Sequence, residues 1–283
     1  MIRILLYPTV LLSSLVVAHM LSSTPLGYEG AVIGCGLYCL CLIALMERLF
    51  PWADAWNQSD GELPTDVAFV GIVALTDEFT RSFVAWLFTT HLSSQGFTEE
   101  PVGFFPLSVR VTAALVIGEL GGWFSHWLLH VRRLPFWRIH RVHHAVGRLS
   151  VLNTLRFHPL DIALQLLCIH PLLHVTGLAD PATLFWYGVF FLVVGQLSHS
   201  NIDTHCGILN YIFNTPEVHR LHHSRRIPVS NTNYGQILMV WDVLTGTFNN
   251  SRDPPLQIGD RFLSKSGVAQ NLLIPIREIF GVI

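Results

Sequence analysis

Four apolar runs constrain this chain most, because each is long enough to cross a bilayer as a helix of about 20 residues. They cover residues 4–21, 31–50, 67–88 and 107–129. Hydrophobic residues make up 51% of the 283 residues and charged residues 13%, about half the share usual in soluble domains. The sequence therefore predicts an all-α fold, a multi-pass transmembrane helical bundle.

Two shorter runs follow, at residues 162–173 and 183–197. Being shorter than a full span, they are predicted to form a hairpin that enters the membrane without crossing it, or two tilted short helices. The first run could instead be a signal peptide behind Arg3, but the apolar segments that follow favour a span. In the third run we predict an intrahelical ion pair between Asp77 and Arg81, with Glu78 beside it. Ionisable groups at that depth can also line a substrate path.

The distribution of positive charge predicts the orientation. Of the 17 Lys and Arg residues, 13 lie in two blocks, 132–156 and 220–277, and the 63 residues between 157 and 219 contain none. The loops at 27–30 and 91–106 have no Lys or Arg either, and the second carries Glu99 and Glu100. The positive-inside rule places both basic blocks in the cytoplasm. An even number of crossings before Arg132 puts Arg3 on that side too.

Net charge and cysteine content narrow the range of possible functions. The formal net charge of −2 gives no reason to expect a nucleic-acid partner. Five cysteines, three of them inside one apolar run, predict neither a disulfide framework nor a cysteine-ligated zinc site. Three segments are predicted: N-terminal transmembrane helices at 1–106, a catalytic domain at 107–250 and a C-terminal tail at 251–283.

Three histidine motifs dominate the second half of the chain, which has 15 histidines and a single lysine, Lys265. On a helix, residues at i, i+3 and i+4 share one face, so HxxxH offers two imidazoles to one centre. HxxHH offers three, and its adjacent pair diverges enough to serve two neighbouring metal ions. The three motifs supply eight histidines: His126, His130, His140, His143, His144, His219, His222 and His223.

The HxxHH pattern is specific. With this histidine content, chance gives about 0.04 copies in the chain, and two are present. Since one metal ion takes four to six ligands, eight histidines predict two ions. The other histidines at positions 19, 91, 170 and 174 are predicted to be interfacial or hydrogen-bonded core residues.

The order HxxxH, HxxHH, HxxHH resembles the fatty acid hydroxylase superfamily, which includes sterol desaturases, sterol C4 oxidases and alkylglycerol monooxygenases. The likeness extends through HRVHHAVGRLSVLNTLRFHPLD, QLSHSNID, NTPEVHRLHHSRR and NTNYGQILMVWDVLTGTF, and covers residues 107–248. The resemblance implies a di-iron centre on the cytosolic face that uses O2 and electrons from a separate ferredoxin- or cytochrome b5-like donor.

The resemblance also implies a ligand set. The eight motif histidines would bind metal, together with His199 in the HSN element. His205 lies close to the position at which relatives carry a second histidine, and it could add a ligand. His158 is expected outside the coordination sphere rather than in it.

Residues around the ligands are predicted from chemistry. A metal-bound imidazole usually donates its second N–H to a carboxylate or carbonyl, and the nearby acidic candidates are Asp161, Asp203, Glu217 and Asp242. We expect equally that these four carboxylates cap helices or form surface ion pairs with arginines. Asn201 and Asn233 could hold a water, and Trp241 is expected to pack or anchor at the interface.

The predicted function is oxidation of a lipid or another apolar molecule by O2, giving an alcohol or an alkene. All-imidazole ligation also suits zinc or copper, but zinc has no redox chemistry with which to cleave an unactivated C–H bond. The alternatives are a zinc-dependent membrane hydrolase, a bis-histidine haem protein and a metal-binding protein or transporter. A zinc hydrolase would normally show the HExxH motif. Adjacent histidine doublets are not typical of a bis-histidine haem protein, and a transporter would place its ligands at the membrane midplane. The substrate and the oligomeric state are left open.

Overall fold

The computed structural model describes residues 2–92, 103–251, 257–259 and 267–281, and the described part is predominantly helical. Six long helices form the bundle: α1 (Ile2–Ser22), α2 (Gly27–Leu49), α3 (Leu63–Leu87), α4 (Leu107–His130), α6 (Pro159–Val175) and α7 (Pro181–Ser198). Shorter helices carry the rest: α5 (Phe136–His144), α8 (Pro216–His222), α9 (Ile227–Ser230), α10 (Val240–Thr245) and α11 (Val268–Ile279). The predicted all-α fold is confirmed. The predicted boundaries at residues 106 and 250 remain predictions.

The helices that could cross a membrane are not quite the predicted ones. By length and apolar composition they are α1, α2, α4 and α7, so the run at 183–197 is a candidate span rather than part of a partial hairpin. The prediction of a span at 67–88 fails this criterion, although α3 is 25 residues long. The cause is its charge: Asp77 and Arg81 form the predicted ion pair, at 2.6 Å, and Glu78 accepts from Arg81 at 3.2 Å. The protein is an integral membrane protein.

Close packing of α4 against α6 holds the centre of the bundle. At Gly121 the backbones approach so closely that a Cβ atom would collide with the carbonyl of Cys168. Small residues permit this kind of approach between membrane helices. A single apolar core then joins these helices to α1, α2 and α7, with Tyr7, Cys39, Ile169 and Val193 fully buried in it.

Six helix ends meet at one end of the bundle, and the histidine motifs lie there. The α1 N-terminus reaches this end, because the Arg3 carbonyl accepts from the His205 backbone N–H at 3.0 Å and the Arg3 guanidinium pairs with Asp203 at 2.6 Å. The α2 C-terminus does so through Glu47, which accepts from the backbone amides of Val151 and Asn201 at 2.8 and 2.9 Å. The α1–α2 hairpin therefore starts and finishes at this end. Glu99, Glu100 and Lys265 lie outside the described residues.

Candidate metal centre

Helical spacing brings the nine predicted histidines together. His126 and His130 are one turn apart at the end of α4, while α5 and α8 each present an HxxHH face. His199 follows the last residue of α7. All nine side chains are buried. Their ligand atoms form two groups, each with its nitrogens within 4.8 Å of one another.

The first group joins α4, α5 and α8 through five histidines: His126, His130, His140, His144 and His222. The Nε2 atoms of His126 and His140 are 3.0 Å apart, those of His140 and His144 3.1 Å, and those of His130 and His144 3.2 Å. His222 Nε2 is buried and has no hydrogen-bond partner among the described residues.

The second group joins α5, α7 and α8 through four histidines: His143, His199, His219 and His223. His199 Nε2 lies 3.2 Å from His143 Nε2 and 3.1 Å from His219 Nε2. His223 Nε2 lies 3.0 Å from His219 Nε2.

The adjacent histidine doublets divide between the groups. His144 belongs to the first group and its neighbour His143 to the second; likewise, His222 belongs to the first and His223 to the second. The rings of His144 and His223 stack across the boundary with centroids 4.4 Å apart. The two groups are therefore neighbouring candidate metal sites that share the two short helices α5 and α8.

In five of the nine rings, a hydrogen bond at Nδ1 leaves Nε2 facing the centre. In the first group, His126 Nδ1–H donates to the Tyr234 carbonyl at 2.7 Å and His222 Nδ1–H to the Thr232 carbonyl at 2.8 Å. His140 and His130 direct Nδ1 at side-chain oxygens, on Asp161 at 2.8 Å and on Asn231 at 3.3 Å. In the second group, Nδ1 of the His199 ring donates to the Gly195 carbonyl at 3.1 Å.

This tautomer makes the cluster fit a metal ion. A neutral imidazole protonated at Nδ1 presents a lone pair at Nε2. His126 and His140 then aim lone pairs at each other across 3.0 Å, a repulsive arrangement unless a cation lies between them. With nitrogen ligands at about 2.1 Å, neighbouring donors are about 3.0 Å apart around an octahedral ion and about 3.4 Å around a tetrahedral one. The observed separations of 3.0–3.2 Å fall in this range.

Electrostatics also favour neutral rings. Burial, and then the neighbouring imidazoles, lower the pKa of His143, His144, His219 and His223 well below the usual value. Burial lowers the pKa of His222 to about 3. These rings are therefore unprotonated at neutral pH, the form in which imidazole binds metal.

The four acidic candidates have different roles. Asp161, fully buried at the start of α6, holds His140 and also accepts from Gln165 Nε2 at 2.5 Å. Asp242 accepts from the backbone amides of Tyr234 and Gly235 at 2.9 and 2.7 Å, so it acts on His126 through the Tyr234 carbonyl.

The other two carboxylates contact no histidine of the cluster in the described structure. Asp203 pairs with Arg3, which is the surface ion pair expected as its alternative. Glu217 accepts from the Thr204 hydroxyl, the Cys206 backbone amide and the Asn210 side chain.

The remaining predicted neighbours are structural. His158 caps α6, with Nδ1 accepting from the Leu160 amide and Nε2–H donating to the Leu272 carbonyl at 3.2 Å. It lies outside both groups, as does the exposed His205. Asn201 bonds to the Ala53 backbone, Asn233 (φ 59°) to the Val218 and Asn249 carbonyls, and Trp241 Nε1–H to the Val116 carbonyl.

Histidines expected to have no part in metal binding lie elsewhere. His19 and His91 are exposed, and His170 and His174 are buried in α6. None of the four belongs to either group of the described residues.

Glu119 is an important residue that the sequence analysis missed. It is buried in α4, two turns before His126, and its carboxylate accepts from the backbone amides of Gln236, Ile237 and Leu238. Together with Asp242 it holds all five consecutive amides from 234 to 238. The Tyr234 carbonyl that orients His126 is thereby fixed. A signal was present, since an ionisable residue inside an apolar helix is a functional candidate by default.

A cleft of about 410 Å³ opens beside the first group. His130 and Asn231 contribute to its lining, so it borders the cluster directly. Aromatic and basic side chains complete the wall, which comprises Trp127, Val131, Arg132, Arg133 and Tyr234. The cleft lies where the candidate span α4 ends.

Comparisons with known proteins agree with this geometry. The fatty acid hydroxylase family model matches residues 111–247. Ornithine lipid hydroxylase OlsE of Rhizobium tropici is 38% identical over 227 residues, which cover 77% of this chain and 67% of that protein. Alkylglycerol monooxygenase of Caenorhabditis elegans is 30% identical over 43% of this chain, and the human one 28% over 46%.

The extent of these matches differs. The chain spans 24% of the nematode alkylglycerol monooxygenase and 28% of the human one, so those likenesses concern only part of each relative. No solved structure gives a significant match. The match to the R. tropici hydroxylase covers two thirds of that protein, includes most of this chain, and agrees with the family model. The chain belongs to the fatty acid hydroxylase superfamily.

Proposed function

We propose that this protein is a di-iron monooxygenase that hydroxylates a membrane lipid with O2. Two groups of buried imidazoles with Nε2 atoms 3.0–3.2 Å apart carry the proposal. Five histidines would hold one ion, and four the other. Bound iron would supply the redox chemistry with O2 needed to oxidise an unactivated C–H group.

The chain's own residues prepare that chemistry by holding protons away from the metal-facing nitrogens. The Tyr234, Thr232 and Gly195 carbonyls and the Asp161 carboxylate keep the proton at Nδ1 of their histidines. Such partners orient the ring and raise its basicity as a ligand. Burial of all nine rings excludes bulk water from the centre.

The substrate is proposed to be a polar-headed membrane lipid, with ornithine lipid the first to test. The R. tropici relative supports this choice, since it is an ornithine lipid hydroxylase and matches 77% of this chain. The alkylglycerol monooxygenases support a lipid substrate in general. Hydroxylation is favoured over desaturation because both kinds of relative are named for oxygen insertion.

Both the set of metal-binding side chains and the names of the relatives favour iron over zinc. Every member of both groups is a histidine, so neither described group contains the carboxylate that a zinc hydrolase of the HExxH type uses as general base. The histidines lie on the short helices α5 and α8 and at the ends of the candidate spans α4 and α7, whereas a transporter would hold its ions at the midplane.

The cytoplasmic placement of the centre is also proposed. Basic blocks at 132–156 and 220–277 flank the motifs, and Arg3 lies at the same end of the bundle. Electrons would then come from a separate cytoplasmic donor of the ferredoxin or cytochrome b5 kind.

Lipid profiling tests the proposal. The gene is expressed in a bacterium that makes ornithine lipid, and lipids are compared by mass spectrometry with cells carrying His143→Ala or the exposed-site control His205→Ala. The proposal predicts one added oxygen atom on ornithine lipid for the wild type and His205→Ala, and none for His143→Ala. Unchanged ornithine and other lipids in the wild type, despite an active electron donor and bound iron, would refute it.

A further inference from the structure

Two adjacent arginines, Arg132 and Arg133, line the cleft that borders the metal centre, and both are exposed. They directly follow the last turn of α4, which is a candidate span. Among the residues that the structure describes, those lining this cleft carry positive charge on Arg132 and Arg133 and no negative charge.

Aromatic contacts fix the position of this charge relative to the cluster. The Arg132 guanidinium lies over the Trp137 ring, 4.3 Å from its centroid. That ring is in turn 5.2 Å from the His130 ring and 5.5 Å from the His144 ring. Arg132 is therefore connected to the first group through a single aromatic side chain.

Arg133 is available for a ligand. Its side chain has no hydrogen bond or ion pair with any other residue in the part of the chain that the structure describes. A guanidinium offers a planar set of donors that matches phosphate or carboxylate oxygens in a bidentate way. Aromatic residues such as Trp127, 39% exposed one turn before the end of α4, are typical of the membrane interface, where lipid headgroups lie.

We propose that this cleft binds the anionic group, phosphate or carboxylate, of a lipid headgroup through Arg132 and Arg133. The inference rests on the proposed function, because it names the recognition element of that lipid substrate. It assigns Arg133 as a specificity-determining residue and the cleft beside His130 as the headgroup site. The lipid would enter from the interface with its charged end held next to the first histidine group.

Binding to purified, metal-loaded protein in neutral detergent tests the site without turnover. Three probes separate the sources of affinity: short-chain phosphatidate has an anion and chains, short-chain diacylglycerol has chains only, and inorganic phosphate has the anion only. We expect phosphatidate to bind most tightly, and its Kd to rise roughly fivefold in R133Q and again in the double variant R132Q/R133Q.

Arg226→Gln is the matched control, since Arg226 is also exposed, its side chain makes no described hydrogen bond or ion pair, and it is not part of the cleft lining. It should leave the Kd unchanged. Metal content and melting temperature should match the wild type in R133Q, which excludes a folding defect. Equal affinity for diacylglycerol or for inorganic phosphate, undiminished phosphatidate binding in the double variant, or equal loss in Arg226→Gln would each overturn the headgroup site.

Turnover of ornithine lipid separates this inference from the proposed function. If the wild type is active, R133Q should raise KM about fivefold with kcat nearly unchanged, and an unchanged KM counts against the site. If the wild type oxidises no lipid but R133Q still loses phosphatidate binding, the proposed function fails and the headgroup site stands.

Discussion

Replacing Asp161 with asparagine should remove one metal ion and leave the other. Asp161 is fully buried and accepts the Nδ1–H of His140 at 2.8 Å. His140 belongs to the first group only. The asparagine oxygen can still accept this bond, but the negative charge that makes the imidazole a stronger ligand is lost. Loss of a group that hydrogen-bonds a metal-bound histidine lowers metal affinity about 10- to 100-fold, or about 1.4–2.7 kcal/mol.

The assay is iron content per chain at equilibrium with graded free Fe(II). The wild type should hold two ions, and Asp161→Asn should hold one at the affinity of the second group and bind the other about 10- to 100-fold more weakly. Asp203→Asn is the control, because Asp203 pairs with Arg3 and contacts no histidine of the cluster. Full two-site affinity in Asp161→Asn, or equal weakening of both sites, would contradict the assignment of Asp161 to the first site alone.

Other substitutions test the division into two sites and the scaffold beneath them. His222→Ala and His223→Ala should each weaken a different site, so metal titrations of the two variants should each lose one high-affinity phase; a loss of the same phase in both would argue against separate groups. Glu119→Gln should lower the melting temperature and weaken the first site, because three backbone amides lose a charged acceptor. Each hydrogen bond to a charged group is worth about 1.5–3 kcal/mol. An unaltered melting curve would contradict this role of Glu119 in holding the backbone at 236–238. Gly121→Ala should impair folding, seen as aggregation on size-exclusion chromatography, since its Cβ meets the Cys168 carbonyl; Gly71→Ala, where a Cβ meets nothing, is the control.

The sequence was sufficient to predict features that depend on spacing. Apolar runs predicted the six long helices to within a few residues at most ends, because length and hydrophobicity define a membrane helix. The HxxHH spacing predicted that His143 and His144 diverge, since adjacent helical residues point about 100° apart. The structure brings all nine candidate ligands together in two groups.

Features that depend on the tertiary fold could not be predicted from the sequence. Asp161 and Asp203 are both acidic and near histidines in sequence, and only the packing of α6 beneath α5 distinguishes the one that reaches a ring. Three of the partners that orient the histidines are backbone carbonyls, on Tyr234, Thr232 and Gly195, and a carbonyl carries no side-chain signature. The span predicted at 67–88 remains a prediction, because Asp77, Glu78 and Arg81 keep α3 outside the helices that qualify by length and apolar composition.

The most direct test of a two-metal imidazole centre is metal analysis combined with X-ray absorption on protein purified after growth in iron-rich medium. The account predicts two irons per chain, each with imidazole nitrogens dominating its nearest shell, and no haem absorption. A single metal per chain, zinc bound in preference to supplied iron, or sulfur in the nearest shell would contradict it.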